Sequence, residues 1–175
     1  MTAAGVYELT TQGGATDFAR VIKACESFGP YCLIGGLAVN CYVEPVYTLD
    51  ADLVVVGSSL AGLCEYLQTQ GFRIEGHPHS MNAITPESQL RIQFTTDERY
   101  QSFLDRCMEA EVLGVRVNVA SLQDVAQGKL WAYADPRRRL SKRKKDELDL
   151  IRLAEAYPEL KGLYPPELVE QIERG

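Results

Sequence analysis

Two segments carry the strongest structural signal of the chain: YCLIGGLAVN at residues 31–40 and TLDADLVVV at residues 48–56. The first is a short apolar run that reaches Gly35-Gly36 and continues without a helix breaker, a pattern typical of a strand, a tight turn and a helix. The second has four consecutive apolar residues behind two aspartates, which predicts a strand covered on both faces. Together they predict an α/β arrangement in which both aspartates enter a buried strand.

The rest of the sequence places further elements around these two segments. Apolar periodicity and capping residues predict helices at 17–28, 37–43, 60–70, 98–109, 122–134, 144–157 and after Pro165-Pro166, and strands at 31–34, 50–56, 72–75, 90–95 and 112–119. We therefore predict an α/β (α+β) fold with a mixed sheet of about four or five strands flanked by helices. Residues 1–120 would form this core, and residues 121–175 a C-terminal helical segment packed on it as a single compact unit.

The composition is that of an ordinary globular domain. The 175 residues are 46% hydrophobic and 24% charged, and no stretch approaches the roughly 20 apolar residues that cross a bilayer. The five cysteines form no C-x-x-C pair and lie mostly in apolar stretches, which is typical of reduced core residues. The start of the sequence lacks the features of a secretion signal. We expect a cytoplasmic protein with no membrane partner.

Charge is distributed unevenly along the chain. The net charge is −6, yet residues 137–145 hold seven of the 18 basic side chains. The remainder has 11 basic against 24 acidic residues, or −13. This segregation favours one local anion-binding patch over a broadly basic nucleic-acid binder, although a solvated charged turn explains the composition equally well.

The two aspartates have the spacing of a cation site. In a strand, Asp50 and Asp52 point to the same face with Cα atoms roughly 7 Å apart, so their carboxylates can share a hard cation such as Mg²⁺ or Mn²⁺. Alternatively, both acids are the solvated polar end of a strand. The turn at Gly35 and Gly36 favours the cation, because backbone N–H groups at such a turn can hold phosphate oxygens beside it.

These residues resemble a known family. The segments 34–40 (IGGLAVN) and 47–53 (YTLDADL) resemble the first motif of the DNA polymerase beta-like nucleotidyltransferase superfamily, nearest to the minimal bacterial enzymes typified by AbiEii-type toxins. The resemblance implies that Gly35 and Gly36 hold the triphosphate of a nucleoside triphosphate. It also implies that Thr48 lies at the nucleotide and that Asp50 and Asp52 bind the metal ion.

A second block downstream is similar to the family's K-x-x-A…R…[RK]-D-x-x-D pattern. It consists of Lys129 with Ala132, then Arg139, then Lys145-Asp146 with Asp149. The resemblance implies that Lys129 and Lys145 contact nucleotide phosphate and that Asp146 holds or orients groups at the site. The implied catalytic residues are Asp50, Asp52, Lys129 and Asp146.

One position departs from the superfamily pattern. Members commonly supply a third carboxylate from a later strand, and Gln93 stands there in this chain; Asp97 would share its face if the strand continued. The expected activity is Mg²⁺-dependent transfer of a nucleoside monophosphate from a nucleoside triphosphate to a hydroxyl of tRNA or other RNA, a protein or a small molecule. The resemblance adds a toxin role with a cognate antitoxin protein. The alternative is a degenerate, non-catalytic module that binds nucleotide, RNA or a protein partner.

Overall fold

A computed structural model of the chain describes residues 1–175. Seven strands lie at Tyr31–Ile34 (β1), Asp50–Val55 (β2), Arg73–His77 (β3), Ser80–Ile84 (β4), Arg91–Thr95 (β5), Met108–Val112 (β6) and Val115–Val119 (β7). Seven α-helices lie at Ala3–Thr11 (α1), Gly14–Phe28 (α2), Gly35–Val39 (α3), Leu60–Thr69 (α4), Leu122–Ala134 (α5), Leu140–Ala156 (α6) and Pro166–Arg174 (α7). Short 3-10 helices cover Gly57–Ser59, Glu98–Arg106 and Pro158–Leu163.

All seven strands form one mixed sheet in the order β3-β4-β5-β2-β1-β7-β6. β2 runs parallel to β5 and antiparallel to β1, while β1 runs parallel to β7. β2 is therefore central, and its apolar residues Leu53, Val54 and Val55 are buried, as their consecutive run predicts. Because both edges of β2 are hydrogen-bonded, the register of its two aspartates against the neighbouring strands is fixed.

The predicted fold class is confirmed, but the strand count of four or five is wrong. The two extra strands each belong to a hairpin with a two-residue turn: β3–β4 turns at Pro78-His79, and β6–β7 turns at Leu113-Gly114. The first turn lacks an Asn-Gly or Asp-Gly signature. In the second turn, Leu113 and Gly114 both have positive φ, at 51° and 83°. Leucine at the first position is not a residue typical of such a turn, so the sequence does not indicate a hairpin here.

Three helix predictions also need correction, and one helix was missed. α1 was not predicted, and the helix predicted at 98–109 is a 3-10 helix followed directly by β6. α3 begins at Gly35 itself and ends at Val39, so the glycines form its first turn rather than preceding it. α6 begins at Leu140 instead of residue 144, which places four of the seven basic residues of segment 137–145 on a helix.

One hydrophobic cluster of 38 buried residues extends from the sheet into the C-terminal helices, where it includes Leu150, Leu153 and Leu168. The division of the chain at residue 120 stays a prediction. All five cysteines are free thiols. None of the helices combines the length and the apolar composition that crossing a membrane requires.

Candidate active site

The turn after β1 meets the start of β2 at Gly35. Ile34 pairs with Asp52 in the antiparallel β1–β2 ladder, so the next residue lies against the Asp52 carboxylate. A Cβ atom on Gly35 would overlap with Oδ2 of Asp52 and would lie 3.0 Å from its Cβ and Cγ atoms. The φ angle of Gly35 is +71°, in the left-handed region. Both the conformation and the close approach require glycine here.

Gly35→Ala is expected to destabilise the chain by about 1–3 kcal/mol, because the new methyl group adds left-handed strain and displaces Asp52. Urea unfolding measures the loss. Gly36→Ala is the matched control, since a Cβ there would lie 3.7 Å from the nearest atom, Cγ2 of Thr48, in ordinary contact. Equal stability of the two variants would contradict the close approach at Gly35.

Asp52 is a carboxylate without a partner. No side chain or backbone N–H donates a hydrogen bond to it, and the cations near it, Lys129, Arg138 and Lys142, act on it only through space. Burial raises the pKa of Asp52 to about 6, and the neighbouring charge of Asp50 contributes to this rise. The protein therefore holds a partly buried carboxylate that lacks a compensating positive charge in contact with it.

Asp50, unlike Asp52, has partners, because each of its carboxylate oxygens accepts a hydrogen bond from a cation. The Nε atom of Arg91 on β5 lies 2.7 Å from Oδ1, and the Nζ atom of Lys142 on α6 lies 2.8 Å from Oδ2. Burial raises the pKa of Asp50, but the hydrogen bonds from Lys142 and Arg91 outweigh burial, so the pKa lies below its usual value. Asp50 is thus charged and fully paired.

Thr48 connects the glycine turn to α6. Its Oγ1 atom accepts hydrogen bonds from the Nζ atom of Lys145 at 3.3 Å and from the backbone N–H of Asp50 at 3.2 Å. Its carbonyl oxygen accepts a hydrogen bond from the hydroxyl of Tyr7 at 2.8 Å, which fixes this loop against α1. The structure therefore brings Gly36, Thr48, Asp50 and Lys145 into one site.

Lys129 and Asp146 lie in a second, buried ion cluster. The Nζ atom of Lys129 is 3.0 Å from Asp146 and 2.8 Å from Asp149. Arg138 also contacts Asp146, at 2.6 Å, and Arg152 contacts Asp149, at 2.8 Å. Burial lowers the pKa of Lys129, but the two aspartates more than offset it, so the ammonium stays charged. The predicted phosphate contact of Lys129 would have to compete with two aspartates already in place.

Gln93 occupies the position opposite Asp52 in the parallel β2–β5 ladder. It offers a neutral amide where a third carboxylate would otherwise lie. Asp97 does not replace it, because β5 ends at Thr95 and Asp97 instead caps the following 3-10 helix and pairs with Arg99 at 2.7 Å. The site therefore contains two carboxylates and one amide.

The chain contains no cluster of three or more His, Cys, Asp or Glu side chains arranged as metal ligands. The two aspartates nevertheless fit a divalent cation, because Asp52 is partly buried without a hydrogen-bonding partner and because Gly35 places no side chain against its Oδ2 atom. Asp50, Asp52 and the amide oxygen of Gln93 would be the oxygen ligands, which is the donor type that Mg²⁺ and Mn²⁺ prefer.

Sequence reasoning missed three residues of this region: Arg91, Lys142 and Arg138 were not assigned individual contacts. A signal for Arg91 exists, since placing Gln93 opposite Asp52 puts the residue two positions earlier opposite Asp50. Lys142 belongs to the basic segment 137–145, but its contact with Asp50 depends on α6 beginning at Leu140.

Comparison with known proteins identifies the fold. No family model matches the sequence, and no curated protein matches it. Among solved structures, the antibiotic-resistance factor ANT(2'')-Ia superposes with a TM-score of 0.61 at 16% identity over 90% of this chain and 88% of that one. The lincomycin-bound lincosamide adenylyltransferase LnuA superposes with a TM-score of 0.54 at 14% identity, over 79% and 96% of the two chains.

A nucleotidyltransferase-like protein from Paracoccidioides brasiliensis gives a TM-score of 0.56 at 18% identity, over 79% of this chain and 74% of that one. These similarities cover most of each chain, and together they show that this chain has a nucleotidyltransferase fold. Fold alone does not establish activity, so function depends on the residues of the site.

Proposed function

We propose that the chain transfers a nucleoside monophosphate from a nucleoside triphosphate to a hydroxyl group, with Mg²⁺ or Mn²⁺ bound at Asp50 and Asp52. The observation that supports this most is the unpartnered, partly buried carboxylate of Asp52 under Gly35, on the central strand of a nucleotidyltransferase fold. An unpaired carboxylate that is partly removed from solvent costs stability, and a bound cation would reduce that cost.

The roles of the residues follow from their positions. Gly35 and Gly36 would hold the phosphates by their backbone N–H groups, and Thr48 and Lys145 would contact the same phosphates from β2 and α6. A divalent cation bound here would neutralise phosphate charge and lower the pKa of the attacking hydroxyl. Lys129 and Asp146 would fix α5 and α6 behind the site, with Lys129 attracting phosphate through space.

We infer that the acceptor is negatively charged, with tRNA or another RNA as the class. Arg137 and Arg139 are exposed at the start of α6, next to Arg138 and Lys142, which lie at the two aspartates. A surface of this sign attracts a phosphate backbone and repels polycations.

The finer proposal is a cytoplasmic toxin of a toxin–antitoxin pair, nearest to AbiEii-type enzymes and neutralised by a cognate protein. Its support is the sequence resemblance of the two motif blocks at 34–53 and 129–150 together with the basic surface beside them. Expression of the chain should then arrest growth, and a partner encoded nearby should restore it.

Arg137→Glu together with Arg139→Glu is expected to weaken RNA binding by about 10-fold or more at low salt and to flatten its salt dependence, because two phosphate-attracting charges are reversed. Filter binding at several salt concentrations measures this. Arg73→Glu with Arg116→Glu is the matched control, since both arginines are exposed and lie on β3 and β7, outside the basic segment 137–145. Arg138 is left intact because it pairs with the buried Asp146. Equal losses in both double variants would remove the α6 surface from the proposal.

The activity is tested by two measurements on the full chain. The first is thermal unfolding with Mg²⁺ and each common nucleoside triphosphate, since a ligand selective for the folded chain must raise the midpoint. The second is transfer of α-³²P label to total tRNA, to protein and to aminoglycosides. Label on RNA supports the proposal. A midpoint unchanged by every nucleotide contradicts it.

A second candidate function is a non-catalytic module that binds nucleotide or RNA. Gln93 favours it, because an amide is a poorer metal ligand than a carboxylate and cannot act as a base. The thermal and labelling measurements separate the two functions: a nucleotide-dependent rise in midpoint without transfer to any acceptor supports the module. Restoration of transfer by Gln93→Asp would identify the amide as the cause.

A further inference from the structure

The two aspartates of the site differ in pairing, although they lie two residues apart on β2. Both oxygens of Asp50 are engaged by cations, at 2.7 Å from Arg91 and 2.8 Å from Lys142, and the side chain of Asp50 is only 13% exposed. Asp52 has no such contact. A metal ion that is to bind both carboxylates therefore meets an Asp50 whose two oxygens already contact Arg91 and Lys142.

A metal ion that binds Oδ2 of Asp50 would meet the ammonium of Lys142 there. Mg²⁺ or Mn²⁺ binds a carboxylate oxygen at about 2.0–2.2 Å, and the ammonium of Lys142 lies 2.8 Å from the same oxygen, so the two cations would lie close together at Oδ2 and repel each other. The charges of Asp50, Asp52, Arg91 and Lys142 cancel. A divalent ion added alone would therefore leave an excess of positive charge in a partly buried site, which is unfavourable.

A bound triphosphate adds negative charge that offsets the charge of a divalent ion, and two lysines of α6 lie where they can contact it. Lys142 and Lys145 are three residues apart on α6, on the same face, and Lys145 already contacts Thr48 beside Gly36. The Lys142 side chain is 33% exposed and flexible, so its ammonium can move from Asp50 to a phosphate bound over that turn. Arg91 donates to Asp50 through Nε alone, which leaves its terminal nitrogens free for phosphate while Asp50 stays oriented.

We propose that Lys142 is a phosphate-operated latch on Asp50: it blocks the metal site of the free chain, and it releases Asp50 when a triphosphate draws it away. Metal ion and triphosphate then bind cooperatively, each raising the affinity of the other by the same factor. The inference rests on the proposed nucleotide site. It adds that the free chain binds metal weakly and that Lys142 is the cause.

The test uses Lys142→Met in the full chain, which removes the charge and keeps most of the apolar stem. Electron paramagnetic resonance of free Mn²⁺ measures metal binding without nucleotide. Fluorescence anisotropy of a non-hydrolysable, fluorescent triphosphate analogue measures nucleotide affinity in EDTA and in saturating Mn²⁺. The expected result is at least about 10-fold tighter Mn²⁺ binding by the nucleotide-free variant and a smaller effect of Mn²⁺ on analogue affinity than in the wild type.

Two further variants make the result specific. Lys142→Arg keeps a cation at Asp50 and should bind Mn²⁺ as weakly as the wild type. Lys144→Met makes the same change two residues away, at an exposed lysine paired with Glu147, and should also match the wild type. Thermal unfolding verifies that each variant is folded before the titrations.

The outcomes distinguish the latch from the nucleotide site. If the analogue binds the wild type more tightly with Mn²⁺, but Lys142→Met leaves nucleotide-free Mn²⁺ binding unchanged or weaker, the latch is refuted and the proposed function stands. If Mn²⁺ binds none of the proteins, with or without analogue, both proposals fail. Tight Mn²⁺ binding by the free wild-type chain also overturns the latch.

Discussion

Asp52→Asn is expected to stabilise the free chain and at the same time to abolish its magnesium-dependent affinity for triphosphate. Burial holds the pKa of Asp52 at about 6, so at pH 7 the carboxylate is charged in surroundings that disfavour the charge. A neutral amide of the same shape removes this cost, which is worth about 1–3 kcal/mol. It also removes the proposed metal ligand, and nucleotidyl transfer should fall by about 100-fold or more.

The gain in stability should depend on pH with a definite sign. The folded pKa is raised, so the cost of ionising Asp52 in the folded chain is fully present above about pH 6 and disappears as the pH falls towards the usual value of 3.8. Urea unfolding of wild type and variant at pH 7.5 and pH 4.5 measures the difference, which should be smaller at pH 4.5.

The matched control is Asp124→Asn, on α5. Asp124 is buried, whereas Asp52 is partly buried, but Asp124 accepts two hydrogen bonds from Arg106, both at 2.9 Å, so its replacement should lower stability by about 1–3 kcal/mol. Opposite signs for the two variants would mark Asp52 as a residue whose charge serves binding rather than folding. A loss of stability in Asp52→Asn would show that the carboxylate has a structural partner after all.

Much of this arrangement could be predicted from local sequence. The apolar run 53–56 determines a central strand because only such a strand buries both faces, and the spacing of Asp50 and Asp52 then places them on one face. The fold class and the capping of α5 by Ser121 also follow from local patterns; its hydroxyl accepts a hydrogen bond from the N–H of Asp124. These predictions require information from only a few neighbouring residues.

What could not be predicted depends on pairing across the chain. Gly35 meets Asp52 because of the β1–β2 register, and Arg91 meets Asp50 because of the β2–β5 register. A single sequence contains no signal for either register until the strands are aligned. The hairpin at Leu113-Gly114 was hidden for a different reason: leucine rarely adopts positive φ, so its sequence does not indicate the turn.

The ion pairs within the second motif block, residues 129–150, also could not be predicted from local sequence. Its spacing of three residues places Asp146 and Asp149 on one face of α6, but it does not reveal that Lys129 is buried between them. A lysine that resembles a phosphate ligand can instead be a fixed part of the helix packing. Its substitution therefore has consequences for stability that precede any effect on nucleotide.

Lys129→Met is expected to destabilise the chain by about 3 kcal/mol, because it removes a cation that contacts two buried carboxylates. Asp146 and Asp149 each keep one arginine partner, Arg138 and Arg152, so the chain should still fold. The same substitution at Lys23, which is exposed on α2, should change stability by less than about 0.5 kcal/mol.

The variant also separates two roles of Lys129. Its charge lowers the pKa of Asp52 through space, so its removal should protonate more of Asp52 near pH 6 and weaken metal binding there. At pH 8 Asp52 should be ionised in both proteins, and only a direct phosphate contact would still weaken triphosphate binding. Anisotropy titrations at both pH values, well below the unfolding temperature, measure this. A deficit confined to low pH assigns Lys129 to positioning and electrostatics, and a deficit of equal size at both values assigns it to the phosphate.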